Sequence, residues 1–317
     1  MKAKIIIGNE RLITPGGLEI VGEIIKKTEI KNRLNNLSNS EMKSHKNYTC
    51  MMSYMGVLCQ GKTDFEDVRE MQLDSEFYCM ALKIDSIPSE ETIRQRLNEM
   101  GKELLESELL MEENAKLLRN NKIRPAKTFT GHIPIDADVS VHDNSKTKKE
   151  GVEWTYKRVD GYSPMYAYIG TEGYMINAQL RNGSDHSQCE GTVDFFANAI
   201  KYAKEVTSEK LLFRLDSGND SGDNIKLFIK EEVDFLIKRN RRSESLSDWL
   251  ETAEEHGKKS SPRNGKTVYT GSIYREKCNR KIRIVFKVTE RKILADGQVL
   301  LTPDIEVQTW WTSLENS

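Results

Sequence analysis

The chain has 317 residues, 31% of them charged, with a formal net charge of −1. That length suffices for two or three hydrophobic cores, and the near-neutral total gives no global sign of a polyanion partner. No apolar run approaches the roughly 20 residues needed to span a bilayer, and five cysteines without a CxxC pair indicate neither a zinc ribbon nor a disulfide framework.

The opening "MKAKIIIGNERL" has a short apolar core and no small-residue cleavage site, so it does not read as a signal peptide. A soluble protein of the reducing cytoplasm is expected. Residues 1–125 read as mostly helical. Leu18, Val21, Ile24 and Ile25 recur at helical spacing after a Pro-Gly-Gly breaker. "TDFEDVREM" (63–71) offers Thr63 or Asp64 as a cap. "IPSEETIRQRLNEMG" has Ser89 as cap, Glu90 and Glu91 in the favourable first turn, and Gly101 as its expected end. Ile93, Leu97 and Met100 are predicted to face inward, with Arg94 and Arg96 elsewhere. Short helices with exposed arginines suit a DNA-binding head or a plain helical bundle.

From about 126 the texture changes to strands. "GHIPIDADVSV" alternates, with Ile133, Ile135, Ala137 and Val139 on one face and Asp136 and Asp138 on the other. "PMYAYIGTEGYMINAQLRNG" predicts two strands joined at Thr171-Glu172-Gly173. "GTVDFFANAIKYAKEV" is an amphipathic helix, "LLFRLDSG" a strand, "DNIKLFIKE" a helix and "VDFLIKRN" a strand, which together make a mixed α/β core. "SLSDWLETAEEHG" adds a helix. "TVYTGSIY", "RKIRIVFKVTE", "GQVLLT" and "IEVQTWWTSL" then read as four antiparallel strands.

Lysine and arginine concentrate in "TKKEGVEWTYKR", "IKRNRR", "KKSSPRNGK" and "YREKCNRKIRIVFK". Such patches are either solvated faces or local phosphate-binding surfaces. Lys146, Lys148, Lys149, Lys157 and Arg158 follow the first acidic strand, and Arg239, Arg241 and Arg242 leave the last core strand. Each is placed to meet a DNA backbone. Trp249, Trp310 and Trp311 either pack internally or stack on an extruded base. His142 and His186 either approach the site or bond within turns.

Two core strands end in acids, Asp136/Asp138 and Asp216. A carboxylate at the tip of a buried strand carries a desolvation cost. Either it caps local backbone, with Asp216 before the helix at 223–231 and Asp138 bonded to Ser140, or the acids converge on a hard cation. Mg²⁺ takes one or two carboxylates plus phosphate oxygens and water. "IPIDADVS" also fits the DxDx(T/V) strand of haloacid-dehalogenase-type phosphohydrolases, with Asp136 as nucleophile and Asp138 as general acid. Against that, no later Ser/Thr strand with a catalytic Lys follows.

The run from "DADVSVHDNSKTKKEG" to "CEGTVDFF", then "LLFRLDSGNDS" and "FLIKRNRR", closely resembles bacterial insertion-sequence transposases of the DDE class, nearest the group named after insertion sequence 1380. "YMGVLCQGKTDFEDV" and "IPSEETIRQRL" resemble the same group, so the likeness spans nearly the whole chain. It implies an α/β, RNase H-like mixed-sheet core at 126–257, a helical DNA-binding head at 1–125 and a β-rich insertion at 258–317. It also implies Mg²⁺ or Mn²⁺ as cofactor. The implied partners are transposon terminal inverted repeats and target DNA; a homodimer is left open, and no membrane is involved. The implied reaction frees a 3′-OH by hydrolysis, and that hydroxyl then attacks target DNA. Asp138 matches the first catalytic aspartate, with Asp136 its substitute, and Asp216 the second; Asp138 and Asp216 would be the metal ligands. The third acid, a Glu on a helix after the insertion, is expected beyond Ser317. Glu251, beside Glu254 and Glu255, is the internal alternative. A truncated transposase with negligible strand transfer is therefore expected, the alternative being a non-catalytic DNA-binding remnant or regulator.

Overall fold

The computed structural model describes residues 15–37 and 45–315. The opening segment, read above as no signal peptide, lies outside the described residues. The chain divides into two compact units, Met1–Ile123 and Arg124–Ser317.

The first unit is helical: α1 (Gly17–Ile25), α2 (Ile30–Asn35), α3 (Asn47–Cys59), α4 (Val68–Leu73), α5 (Ser75–Leu82), α6 (Glu90–Glu106) and α7 (Leu109–Asn120). Leu18, Ile25, Leu34, Met52, Leu82, Ile93 and Met100 close one apolar core. Helix α1 lies so close to α5 that a Cβ on Gly22 would come within 1.9 Å of the Ala81 carbonyl oxygen. Ser89 caps α6, accepting from the Thr92 amide at 3.3 Å. Two local expectations change here. Helix α6 continues through Gly101 to Glu106, because one interior glycine costs only about 1 kcal/mol and helix-forming residues follow it. Arg96 is buried, not outward. It shares the helical stripe of Ile93 and Met100, and its Nη2 donates to the His45 carbonyl at 3.0 Å.

The second unit is built on β1 (Ile133–Val139), β2 (His142–Asp143), β3 (Glu153–Trp154), β4 (Asp160–Tyr162), β5 (Met165–Ile169), β6 (Tyr174–Gln179), α8 (Thr192–Val206), β7 (Leu211–Leu215), α9 (Gly222–Lys230), β8 (Asp234–Lys238), α10 (Leu246–His256), β9 (Gly257–Arg263), β10 (Lys266–Lys277), β11 (Arg280–Ile293) and β12 (Val299–Thr312). Nine of the strands form one mixed sheet in the order β6-β5-β1-β7-β8-β12-β11-β10-β9, and β2-β4-β3 form a small second sheet. Only β1–β7 and β7–β8 pair in parallel. The crossover between β7 and β8 is α9, as a parallel connection requires.

Strand alternation explains which face is covered. Ile135, Ala137, Phe213, Leu215, Phe235 and Ile237 point toward the helices and are buried. Phe213 stacks on Phe228 of α9 at 4.6 Å between ring centroids, and Phe196 of α8 meets Phe213 edge-on at 5.7 Å. The opposite face carries Asp136, Asp138 and Arg214.

Residues from 257 onward extend this same sheet. "GQVLLT" and "IEVQTWWTSL" form one strand, β12, rather than two. Pro303 is tolerated inside it because it falls where the register with β11 shifts, between the pairs Arg291–Asp304 and Ile293–Val299. "KKSSPR", read as a basic patch, is most of the edge strand β9, where Pro262 costs no internal ladder bond.

Candidate active site at the ends of two parallel strands

The register of β1 against β7 brings the two acids together. Asp136 is paired with Arg214, so two residues further along Asp138 stands beside Asp216, on neighbouring strands about 4.8 Å apart. Paired positions share a face, so both carboxylates point away from the helices. The β1–β5 pairing places Tyr166 opposite Asp138, and the β8–β12 pairing places Trp310 opposite Lys238. With Leu215 paired to Ile237, Lys238 falls next to Asp216. One row across the sheet thus reads Tyr166, Asp138, Asp216, Lys238, Trp310.

Local bonds fix both acids. Asp138 Oδ1 accepts from the Val139 amide at 2.7 Å, whereas the Ser140 amide donates to the Pro164 carbonyl, so Asp138 is not a Ser140 turn residue. Asp216 Oδ1 accepts from the Gly218 amide at 3.0 Å and from Asn219 Nδ2 at 2.9 Å. It therefore caps the short turn Ser217–Asn219. Helix α9 is capped instead by Ser221, which accepts from the Asp223 amide at 3.2 Å. Asn219 is itself buried, and its carbonyl accepts from Asn224 of α9 at 3.1 Å, so the turn is anchored from below.

Electrostatics distinguishes these acids from their neighbours. Partial loss of water raises the Asp138 carboxyl above its ordinary value, and the negative charge of Asp216 pushes the same way. The Val139 amide and the ammonium of Lys157 pull it back down. Among the described residues neither Asp138 nor Asp216 forms an ion pair. Asp136, by contrast, is held by both arms of Arg214, with Nε to Oδ1 at 2.7 Å and Nη2 to Oδ2. Its oxygens are committed to a guanidinium. The Tyr166 phenol is pushed up by burial and lies 3.4 Å from His142 Nε2.

The other expected residues scatter. Lys148, Lys149, Lys157 and Arg158 are exposed on the segment between β2 and β4, and Arg242 is exposed beyond β8, with Arg241 half-buried. Arg239 is buried: it pairs with Glu244 at 2.7 Å, and its guanidinium lies 4.6 Å from the Trp311 ring. Trp249 and Trp311 are buried as well, their indole N–H groups donating to Glu244 at 2.8 Å and to Asp220 at 3.0 Å. Packing, not base stacking, accounts for both. His186 bonds within its own turn, Nδ1 accepting from the Gln188 amide at 3.1 Å. Glu251, Glu254 and Glu255 are exposed on α10, which packs against β9–β12. Among the described residues, no three His, Cys, Asp or Glu side chains cluster closely enough to hold a metal ion.

Beside the Asp216 turn lies a polar cavity of about 420 Å³, lined by Asp220, Arg239, Arg242, Glu244, Lys277 and Trp311 among others. Its acids are neutralised internally, Asp220 by Lys277 and Glu244 by Arg239 and Arg275.

The family described as transposase DDE domain group 1 matches residues 7–302. The chain belongs to that family. Among solved structures, this family member is similar to a chain of the cryo-EM structure of the piggyBac transposase synaptic complex with hairpin DNA. The identity is 12% and the TM-score 0.38, over 95% of this chain and 60% of that one. No curated protein matches the sequence. No helix among the described residues is long and apolar enough to cross a membrane.

The sequence alone does not set Tyr166 and Lys238 in one row with Asp138 and Asp216, nor Arg214 on Asp136; strand register does. Period-two alternation in "PMYAYI" sets Tyr166 on the face opposite Ala167. Only strand register reveals that it faces Asp138.

Proposed function

We propose that this chain is a DNA transposase of the insertion-sequence kind, nearest the group named after insertion sequence 1380, with an RNase H-like core and Asp138 and Asp216 as its metal-ligand pair. The observation that carries this reading is the register pairing of two carboxylates, each without an ion-pair partner among the described residues, on the sheet face opposite α8 and α9. Their donor chemistry fits Mg²⁺ or Mn²⁺: two hard carboxylate oxygen donors side by side, the Asp138 carboxyl raised by partial loss of water and by its neighbour's charge. Such an ion, when bound, supplies Lewis-acid stabilisation of a phosphate's charge. Asp138 and Asp216 would hold it, Tyr166 and Lys238 would flank it, and Lys148, Lys149, Lys157 and Arg158 would position the DNA backbone. Arg241 and Arg242 would extend that contact; Arg239 serves packing instead.

A phosphohydrolase is disfavoured because its nucleophile, Asp136, is clamped by Arg214. A labelled duplex titrated with the protein is expected to bind with affinity that falls steeply with salt. Replacing Lys148, Lys149, Lys157 and Arg158 together by Ala should weaken binding at least tenfold and flatten the salt slope. Binding that ignores both salt and these residues sinks the proposal.

A further inference from the structure

The segment that follows Asp138 is built unusually tightly for a surface loop. Strands β2 and β3 flank β4, and the approach is so close that a Cβ on Gly161 would lie 2.1 Å from the His142 carbonyl oxygen. Gly183 closes from beneath, where a Cβ would lie 2.2 Å from the Glu153 carbonyl oxygen and 2.3 Å from that of Gly161. Ser163 Oγ donates to the Gly183 carbonyl at 2.7 Å, Tyr162 Oη donates to the Glu150 carbonyl at 2.8 Å, and the Glu153 carboxylate accepts from the Ser184 amide at 3.3 Å. At the tip, buried Thr155 staples the turn. Its amide and hydroxyl both donate to the Val159 carbonyl, at 2.9 and 2.8 Å, and its carbonyl accepts from the Arg158 amide at 2.9 Å. Arg158 adopts φ of 62°, which fixes the reversal of the chain.

On this rigid base sit the two aromatic rings on either side of Thr155. Trp154 is 62% exposed and Tyr156 63%, while Trp249 and Trp311 are buried. The tip Trp154–Arg158 carries two cations and no acid, and Lys157 Nζ lies 5.9 Å from the Tyr156 ring centroid. His142 of β2 lies 3.4 Å from the Tyr166 hydroxyl, and Tyr166 is paired with Asp138, so the small sheet that carries the tip adjoins the candidate metal site. The tight loop holds these rings out without burying them. Exposing two large rings costs hydrophobic burial elsewhere, and holding them rigidly reduces the entropy lost when a flat ligand lands on them.

We propose that Trp154 and Tyr156 form a stacking platform for an unpaired nucleobase of the DNA strand engaged at Asp138 and Asp216. The inference rests on the transposase reading above. Aromatic rings interleaved with lysine and arginine suit a nucleotide, whose base supplies a π-face and whose backbone supplies negative charge. Within a duplex those base faces are covered by neighbours, so the platform selects a base that has left the stack. Lys157 and Arg158 meet the adjoining phosphates while the rings take the base.

The test compares the full chain on two fluorescein-labelled probes, a blunt duplex and the same duplex with a short single-stranded 3′ extension. The extended probe should bind more tightly. Trp154→Ala and Tyr156→Ala should each weaken that binding about tenfold and leave blunt-duplex binding unchanged. Trp154→Phe should retain most of the preference. Variants that bind the extended probe as the wild type does overturn the platform, as does equal loss on both probes. If the wild type binds both probes equally, the platform falls and the transposase reading stands. If it binds neither, both fall. A change of sedimentation behaviour in Trp154→Ala, with DNA binding intact, overturns the proposal in favour of a contact between copies of this chain.

Discussion

Asp216 and Asp220 lie four residues apart on one loop yet live in opposite electrostatic surroundings. Asp220 has a side chain only 8% exposed and is fully satisfied: Lys277 pairs with it, Trp311 Nε1 donates at 3.0 Å, and the Asn240 amide donates at 2.9 Å. Asp216 has two hydrogen bonds from its own turn and a second carboxylate for a neighbour. The same contrast recurs on β1, where Asp136 is clamped by Arg214 and Asp138 is not. Acids that hold the fold together are matched with cations inside it. An acid left beside another acid raises the folding cost, the pattern that the proposed metal-ligand role of Asp138 and Asp216 would account for.

Breaking the matched acids should cost the most stability. Asp220→Ala leaves the Lys277 ammonium, the Trp311 N–H and the Asn240 amide without their acceptor, and about 3 kcal/mol of unfolding free energy should be lost. Urea denaturation of the wild type and variant checks this. A loss below about 1 kcal/mol would show that Asp220 is not structural. Asp136→Asn should cost less, about 1 kcal/mol, because both partners of its ion pair reach solvent. The same denaturation curves read it. A cost as large as that of Asp220→Ala would erase the distinction between buried and exposed matches.

Removing an unmatched acid should act with the opposite sign. Because the fold raises the Asp138 pKa, folded protein binds protons more readily than unfolded protein does between the ordinary and the raised value. Stability from this group therefore rises as pH falls through that window, and at neutral pH the charge is a liability. Asp138→Asn should raise the melting temperature slightly at pH 7, with the advantage vanishing at pH values below the ordinary aspartate range. A lower melting temperature at pH 7 would mean that the Asp138 charge is stabilising.

Much of this contrast was legible in the sequence, but not all of it. Alternation in "IPIDADV" set Asp136 and Asp138 on one face, and the abrupt end of "LLFRL" marked Asp216 as a strand-tip acid. Spacing could not decide which of Asp136 and Asp138 was free. That depends on Arg214, which pairs with Asp136 only through the β1–β7 register, a contact across 78 residues. Arg96 and Arg239 failed the reading for a related reason. Charge suggests exposure, whereas each guanidinium is buried with partners that the sequence does not place beside it. Residue type leaves packing and base stacking both open for Trp249 and Trp311; both are buried, and exposure falls to Trp154 and Tyr156. Only the glycine-tight loop around Thr155 makes that choice.

The pairing of Asp138 with Asp216 is tested most directly by thermal unfolding with and without Mn²⁺. A cation bound only by the folded state raises the melting temperature in proportion to its affinity. The wild type should show a Mn²⁺-dependent rise that disappears in both Asp138→Asn and Asp216→Asn and persists in Asp136→Asn. A rise that survives in either of the first two variants, or no rise in the wild type, would contradict a shared cation site at these strand ends.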